Sequence, residues 1–201
     1  MSNDTECELL KKYIYKTLSG KEFKELFPIL ANNLIKLTNK SEVHNGYKFA
    51  DGPNVDPVKF DPYGECRKGG FYFTDVHNFY CWTYYGLELM YYYRKVQLED
   101  DCKVYIEENK MKTDKFILGN KSEISLMDVW NDELFFMKAV KYNAENIKYV
   151  NGRNVLLQLK AVKQNGNAIK HIENPSEAVQ LEAVKQNGCA ISYIENPSEE
   201  V

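Results

Sequence analysis

The sequence predicts an α+β fold, with N-terminal helices, a mainly antiparallel β-sheet domain and C-terminal short α-helical repeats. Three observations indicate this class. Residues 158–177 and 180–199 match at all but four positions, at an offset of 22. Residues 41–130 hold many turn-forming residues between short apolar runs, a pattern typical of strands. Residues 1–40 place apolar side chains at helical spacing.

The C-terminal repeat has a period of 22 residues, and each unit reads as a helix followed by a second, shorter helix. Asn174 is a suitable N-cap for the first helix, and Pro175 suits its first position. We expect Gly188 to end that helix in the left-handed conformation. Repetition at a short period is typical of stacked units that bury their apolar faces against neighbours. The last full unit should therefore present an uncovered apolar edge.

The first forty residues read as two helical segments followed by a strand. Asp4 or Thr5 can cap the first helix, which Gly20 breaks. Pro28 lies inside the second segment and should end or kink it, because proline lacks a backbone N–H. Residues 35–37 read as the first strand.

Residues 41–130 predict a sheet of short strands joined by turns such as Asn45-Gly46. The same region includes a short helix predicted at residues 76–85. We divide the chain into an α+β domain at 1–130 and a helical repeat segment at 131–201. The predicted strands are 46–49, 58–60, 70–74, 91–98, 103–106 and 115–118.

Composition excludes several classes of function. The chain has 201 residues and a net charge of −3, which gives no general attraction to nucleic acid or anionic lipid. Its apolar runs are far shorter than the roughly 20 residues needed to span a bilayer, and the N-terminus lacks the apolar core of a signal peptide. We therefore expect a protein that is neither secreted nor membrane-bound.

The cysteines and histidines predict no metal site. The five cysteines include no Cys-x-x-Cys pair, a pattern that favours reduced thiols inside a cell. His44, His77 and His171 are not spaced with cysteines as zinc ligands are. Cys66 and Cys81 flank the strand predicted at 70–74 and could approach each other, although we expect two reduced thiols.

Four motifs carry a family resemblance. They read IKLTNKSEVHNG at 35–46, GPNVDP at 52–57, GGFYFTD at 69–75 and DKFILGNK at 114–121. In this order they resemble the N-terminal module that precedes ankyrin or other repeats in many proteins of Mimivirus-like giant viruses. The C-terminal Ala-Val-Lys-Gln-Asn-Gly units resemble a short helical repeat of the same viruses. The resemblance implies a viral protein that acts in the cytoplasm of an infected host cell or in the virion, with repeats that hold other proteins.

A fainter resemblance connects residues 44–75 to ADP-ribosyltransferases. Those enzymes bind NAD with a His-Gly pair on one strand and a Gly-rich aromatic strand whose Tyr stacks on nicotinamide. By that resemblance His44 and Tyr72 would contact NAD, and Asp114 would stand where the family has its catalytic Glu. The sequence departs from the pattern at Asn45, which interrupts the His-Gly pair, and at Asp114, since the family uses Glu. These departures favour a degenerate NAD-binding domain within this alternative.

The leading interpretation is a non-enzymatic protein–protein interaction module. Lys170, His171, Ser192 and Tyr193 differ between otherwise matching units, and in repeat scaffolds the contact positions are the ones that vary. We therefore predict them as binding residues for a viral or host protein, with no cofactor. We also predict that the uncovered repeat edge pairs with a second copy of the chain or with another partner.

Overall fold

The computed structural model describes residues 3–63, 67–85, 88–149 and 154–201, with the side chains of Asn3 and Asp4 left undescribed. The chain divides into two compact units, Met1–Leu126 and Met127–Val201. The first combines helices with an antiparallel sheet and the second is helical, which confirms the predicted α+β class.

Three short helices open the first unit: α1 (Asn3–Lys11), α2 (Gly20–Leu26) and α3 (Pro28–Ala31). A capping box starts α2: the Glu22 N–H donates to Ser19 Oγ at 3.2 Å, and the Ser19 N–H donates to Glu22 Oε2 at 2.8 Å. Pro28 stands at the start of α3, so the predicted break at this proline is confirmed.

The strands of the described residues are short, and most join one sheet in which every pairing is antiparallel. The sheet runs in the order β1-β10-β11-β6-β2-β9-β12-β5, and β13 also pairs with β9. The strands are β1 (Thr17–Ser19), β2 (Leu34–Thr38), β3 (Val43–His44), β4 (Tyr47–Lys48), β5 (Gly52–Val55), β6 (Phe71–Asp75), β7 (Tyr84–Tyr85), β8 (Glu88–Leu89), β9 (Tyr92–Gln97), β10 (Lys103–Ile106), β11 (Met111–Thr113), β12 (Lys115–Leu118) and β13 (Ser122–Glu123).

Two separate hairpins flank the sheet. In the first, β3 pairs with β4 across Asn45-Gly46, as the turn signal predicted. Asn45 has φ 52° and Gly46 has φ 83°, and two consecutive residues with positive φ suit a two-residue hairpin turn. The second hairpin pairs β7 with β8. The turn in the first hairpin fixes the position of His44, the last residue of β3.

Aromatic side chains dominate the core of the first unit. Phe71 packs against Phe49 and Phe116, with ring centroids 5.1 and 5.2 Å apart. Phe23 and Phe27 bring α2 and the start of α3 onto the same cluster and are fully buried. These residues come from five separate elements and loops, so the aromatic richness of the sequence is used for the core.

The structure corrects two predictions of secondary structure. Residues 58–60 form no strand; the strand of this region is β5, which contains Pro53 and pairs with β12. Proline is tolerated there because β5 lies at the edge of the sheet, where one side of the strand needs no donor. The helix predicted at residues 76–85 is only the single 3-10 turn Phe79–Trp82, and the chain then enters β7.

The second unit is built from helix pairs that repeat at 22 residues. The first helices are α4 (Glu133–Tyr142), α5 (Val155–Gln164) and α6 (Glu177–Gln186). Each is followed by a 3-10 helix, at Ala144–Tyr149, Gly166–His171 and Gly188–Tyr193. Every start and end falls at the same place in the period, so the two-helix unit predicted from the repeat is confirmed.

The caps of these helices differ from the prediction. Asn174 is not the N-cap of α6: it has φ 49°, and Ser176 caps a helix that begins at Glu177. Gly188 is not left-handed either, because Asn187 ends α6 in an extended conformation and its side chain accepts from the Cys189 N–H. The Asn-Gly pairs at 165–166 and 187–188 therefore start the 3-10 helices of the second and third repeat units, and Asn143-Ala144 starts that of the first.

Candidate functional site

A cleft in the first unit opens where β2 and β6 separate. The two strands pair only at Leu34–Asp75 and Ile35–Thr74, whereas β2 and β9 share four pairs. The cavity has a volume of about 80 Å³ and opens to solvent. Its walls are mainly apolar and aromatic, and they come from β2, β3, β6, the Phe79–Trp82 turn and the β7–β8 hairpin: Lys36, Leu37, Thr38, Asn39, Val43, His44, Tyr72, Phe73, Thr74, Trp82, Tyr85, Glu88, Met90 and Lys110.

Two buried lysines line the cleft. Beyond the last β2–β6 pair, Lys36 Nζ donates to the carbonyl oxygen of Tyr72 at 2.7 Å, so an ammonium bridges the gap between the strands. Lys110 Nζ lies 4.7 Å from the ring centroid of Tyr72 and 4.6 Å from that of Trp82. Its charge also faces Glu107 at 3.2 Å. The cleft therefore combines aromatic faces with cationic groups held in fixed positions.

Thr38 and His44 complete the polar lining. Thr38 is 4% exposed, and its hydroxyl has no hydrogen-bond partner among the described residues. His44 packs edge-on against Tyr85, with centroids 5.6 Å apart. Burial lowers the pKa of His44, and the charge of Lys36 lowers it further while Glu88 partly opposes the shift. The imidazole is therefore uncharged at neutral pH.

The structure brings together two of the three residues expected to contact NAD. His44 and Tyr72 line the same cleft, but Asp114 is not among the residues that line it. Asp114 Oδ1 instead accepts from the Lys103 N–H at 2.8 Å. The carboxylate that does line the cleft is Glu88, which accepts from Asn39 Nδ2 at 2.6 Å. Sequence spacing missed Glu88 because its hairpin closes over β2 only in the folded chain.

A second cavity, of about 250 Å³, borders the other side of the β3–β4 hairpin. It is lined by His44, Asn45 and Gly46 from the hairpin and by Gly70 and Phe71 from the start of β6. The two motifs singled out in the sequence, His-Asn-Gly and Gly-Gly-Phe-Tyr, are thus neighbours in space.

A buried ion network stands beside the cleft on β9. Arg94 Nη2 donates to Glu42 Oε2 at 2.5 Å, and Arg94 Nε donates to Asp51 Oδ1 at 2.8 Å. Lys121 Nζ reaches the other oxygen of Glu42 at 2.5 Å. Burial raises the pKa of Glu42, but hydrogen bonds from Lys121 and Arg94 outweigh it and hold the pKa below its ordinary value. Arg94 Nη1 is buried and has no hydrogen-bond partner within the described part of the chain.

The third repeat unit, residues 177–193, has a face that the described residues leave uncovered. Ile169 and Ile191 occupy the same position in successive units, yet Ile169 is 1% exposed and Ile191 is 43% exposed. A Cβ added to Gly166 would overlap the carbonyl oxygen of Ala183, whereas a Cβ added to Gly188 would meet nothing within 4 Å. The next repeat unit therefore covers Gly166 and Ile169, whereas the described residues leave Gly188 and Ile191 uncovered.

The four predicted binding residues fall into two pairs. Lys170 and His171 contact Glu145 of the preceding repeat unit. Lys170 Nζ lies 3.2 Å from Glu145 Oε1, and His171 Nε2 lies 2.6 Å from Glu145 Oε2. Contact between units therefore gives a structural reason for their identity. Ser192 and Tyr193 are exposed on the last unit, and Ser192 Oγ donates to the carbonyl oxygen of Cys189.

Two further searches concern metals and membranes. In the part of the chain that the structure describes, no three His, Cys, Asp or Glu side chains are grouped as metal ligands would be. Over the same residues, each helix is too short or too polar for a membrane span. The expected approach of Cys66 to Cys81 lies outside the described residues.

Comparison with known proteins finds relatives of this chain in a giant virus. It is 30% identical over 98 residues to the uncharacterized protein R869 of Acanthamoeba polyphaga mimivirus, a match that covers 47% of this chain and 70% of the relative. The chain belongs to the family of R869. This outcome confirms the giant-virus part of the resemblance.

Two longer relatives come from the same virus. The putative ankyrin repeat protein R868 is 29% identical over 102 residues, and the putative ankyrin repeat protein R229 is 29% identical over 120 residues. The matches cover 47% and 55% of this chain. The chain spans about half of R868, at 49%, and 37% of R229. No family model and no solved structure matches the chain significantly. None of the three relatives is named as an ADP-ribosyltransferase.

Proposed function

We propose that this protein is a non-enzymatic protein–protein interaction module whose docking surface is the uncovered end of its repeat array. The observation that carries the proposal is the contrast between Ile169 and Ile191, one buried and one exposed at the same repeat position. Val184 is likewise partly exposed, although its counterpart Val162 is fully buried. This exposed face has the same kinds of residue as the buried contact between two repeat units. It therefore favours a partner that packs against it as a further repeat unit would.

The internal contact indicates what such a partner must offer. Gly166 permits close approach of α6, and its N–H donates to Gln186 Oε1 at 2.5 Å. Asn187 Nδ2 donates to Asn167 Oδ1 at 2.9 Å in the same contact. The partner of Gly188 and Ile191 is therefore an amphipathic helix with a small residue at the closest approach and amide side chains beside it.

A second copy of this chain supplies that surface. Its own uncovered face carries Gly188, Ile191 and the partly exposed Val184, and a two-fold axis brings two such faces together in a closed dimer. The apolar part of the face is small, and contacts of this size give weak association. We expect reversible dimers that form at high protein concentration.

Sedimentation equilibrium or light scattering of the whole chain over a concentration series tests this proposal. The parent chain should associate, and Ile191→Glu should abolish association because it places a charge in an apolar contact. Leu156→Glu is the matched control, since Leu156 is an exposed apolar side chain on α5 and does not belong to the face formed by Gly188 and Ile191. This control should associate like the parent.

Either of two results would overturn the docking surface. One is a parent chain that stays monomeric at the highest concentration reached. The other is an Ile191→Glu variant, folded by circular dichroism, that associates as strongly as the parent. Binding of another repeat protein that survives Ile191→Glu would also place the surface elsewhere.

The place of action follows from the relatives and is part of the proposal. The proteins with which the chain shares sequence belong to a giant virus. We therefore propose action in the infected host cell or in the virion, with viral or host proteins as partners. Fractionation of infected cells and of purified virions, probed with an antibody to this chain, tests the assignment.

A second candidate function is NAD binding by a degenerate ADP-ribosyltransferase-like domain. One observation favours it, namely that His44 and Tyr72 line the same cleft. In this candidate Glu88, and not Asp114, would face the ligand. Calorimetric titration with NAD tests it: saturable binding that Tyr72→Ala weakens would support the candidate, and the absence of heat at millimolar NAD would remove it.

A further inference from the structure

We propose that the cleft between β2 and β6 binds a small aromatic carboxylate. The inference concerns the first unit alone, so it is independent of the repeat surface described above. Three properties of the cleft carry it: an unpartnered hydroxyl, a buried cation in the wall and a lining of aromatic faces.

The hydroxyl of Thr38 is the most specific of these properties. Thr38 lines the cleft and is more than nine-tenths buried, yet its Oγ1 has no hydrogen-bond partner. A buried hydroxyl without a partner costs free energy, so such groups usually serve a water or a ligand. The other cleft threonine differs, because Thr74 Oγ1 donates to the carbonyl oxygen of Asn109 at 2.9 Å. The cleft therefore holds one hydroxyl that is free to donate.

The strand register surrounds Thr38 with positive charge. Lys36 lies two residues away on the same face of β2 and is directly paired with Arg94 on β9. Arg94 is 3% exposed, and its Nη1 also has no hydrogen-bond partner. Arg94 lies diagonally opposite Thr38 on the same face of the sheet, behind the lining of the cleft, whereas Lys36 and Thr38 both line it. An anionic group is the ligand chemistry that satisfies a buried hydroxyl donor beside a buried ammonium.

The walls and the volume indicate the rest of the ligand. Tyr72, Trp82, Tyr85 and the uncharged His44 present aromatic faces and edges to the cavity. Its volume of about 80 Å³ is roughly half that of a cavity known to hold benzene, and the cleft is open on one side. A single ring can enter it with its carboxylate inward, and a ligand of several rings would remain largely outside.

Titration with benzoate and benzamide tests the proposal directly. The two probes share a shape, but only benzoate is charged at pH 7. We expect benzoate to bind with a dissociation constant on the order of 1 mM or below, as suits a ligand of roughly nine heavy atoms. Backbone amide shifts in nuclear magnetic resonance should concentrate at residues 36–39 and 72–74. Benzamide should bind at least about tenfold more weakly, as expected from losing a charged hydrogen bond.

Variants at Thr38 separate the ligand contact from the fold. Thr38→Val keeps the shape and removes the hydroxyl, so benzoate affinity should fall at least about tenfold. Thr38→Ser keeps the hydroxyl and should retain affinity within about threefold, since hydrogen-bonding capacity is unchanged. Thr74→Val is the matched control, because it removes a cleft hydroxyl that is already used, and benzoate affinity should not change.

Three results would overturn the inference. Equal binding of benzoate and benzamide would show that the charge is not recognised, and would favour the neutral ring of the NAD candidate. A Thr38→Val variant that binds benzoate as tightly as the parent would show that the Thr38 hydroxyl does not contact the ligand. Absence of benzoate shifts at residues 36–39 at saturating concentration would show that Thr38 serves a buried water only.

Discussion

Glu145 Oε2 lies 2.6 Å from Nε2 of His171, although the two residues belong to successive 3-10 helices separated by a full repeat. Lys170 reaches the other oxygen of the same carboxylate at 3.2 Å. The Glu145 carboxylate thus joins one repeat unit to the next. The equivalent position holds Asn167 in the second repeat unit and Cys189 in the third.

This link makes the repeats sensitive to acid. Burial raises the pKa of Glu145, but the hydrogen bonds from His171 and Lys170 outweigh it and lower the pKa overall. A carboxyl whose pKa is lowered by folding adds stability above its unfolded pKa of about 4.3, and that stability is lost as the pH falls through the folded value. We expect Glu145→Gln to reduce the free energy of unfolding by about 1 kcal/mol at pH 6 and by less at pH 3.

Urea unfolding at pH 6 and pH 3 measures this effect. Glu173→Gln, at an exposed position on the same unit as His171, is the control and should stay within about 0.5 kcal/mol of the parent at both values. An equal loss at pH 3 and pH 6 for Glu145→Gln would contradict an ionic link.

The two repeat glycines should respond differently to the same substitution. Gly166→Ala forces a methyl group into the carbonyl oxygen of Ala183, and such overpacking costs about 1–3 kcal/mol. Gly188→Ala meets open space and has no positive φ, so it should be neutral or stabilise by up to about 1 kcal/mol. Thermal unfolding followed by circular dichroism compares them. Similar losses in both variants would mean that the glycines serve backbone conformation and not packing.

Removing the Thr38 hydroxyl should stabilise the protein in the absence of ligand. The hydroxyl is buried without a partner, so Thr38→Val removes a desolvation cost of about 1 kcal/mol. Thr74→Val breaks the hydrogen bond to the Asn109 carbonyl and should destabilise by about 1 kcal/mol. Denaturant midpoints of both variants give the comparison. A loss of stability in Thr38→Val equal to that in Thr74→Val would show that its hydroxyl is already hydrogen-bonded.

The Arg94 network should be the most costly ion network to break. Glu42→Gln leaves the buried guanidinium with Asp51 alone and takes the partner from Lys121, which should cost about 3 kcal/mol. Glu8→Gln removes a pair with Lys11 in which both side chains are exposed, and should leave the free energy of unfolding nearly unchanged because solvent screens the pair. Chemical unfolding measures the free energy of unfolding of both variants. A cost below about 1 kcal/mol for Glu42→Gln would mean that water screens the network.

Local signals predicted the local features of this fold. Pro28 marked a break between helices, Asn45-Gly46 marked a turn, and the 22-residue repeat marked pairs of helices. These features depend on backbone chemistry within a few residues, which the sequence displays directly.

Features set by distant contacts were missed or misread. Gly188 reads as a helix-ending glycine, but the matching Gly166 shows that the constraint comes from the neighbouring helix. Asp114 reads as a partner for His44, yet it lies in the bend between β11 and β12 and does not line the cleft, which Glu88 lines instead. The free hydroxyl of Thr38 depends on where the β2–β6 ladder stops, and no pattern in one strand reveals that point.

The order of strands in the sheet has a consequence for synthesis on the ribosome. β2 pairs mainly with β9, which lies about 60 residues later in the chain, and β1 pairs with β10 across a still longer stretch of sequence. At about 5–20 residues per second, several seconds pass between the emergence of β2 and that of β9. During that time Leu34, Ile35 and Leu37 lack their main sheet partner, so the nascent chain exposes an aggregation-prone strand that a chaperone would have to shield. The repeats contact only their neighbours, so each can pack as soon as the next has been made.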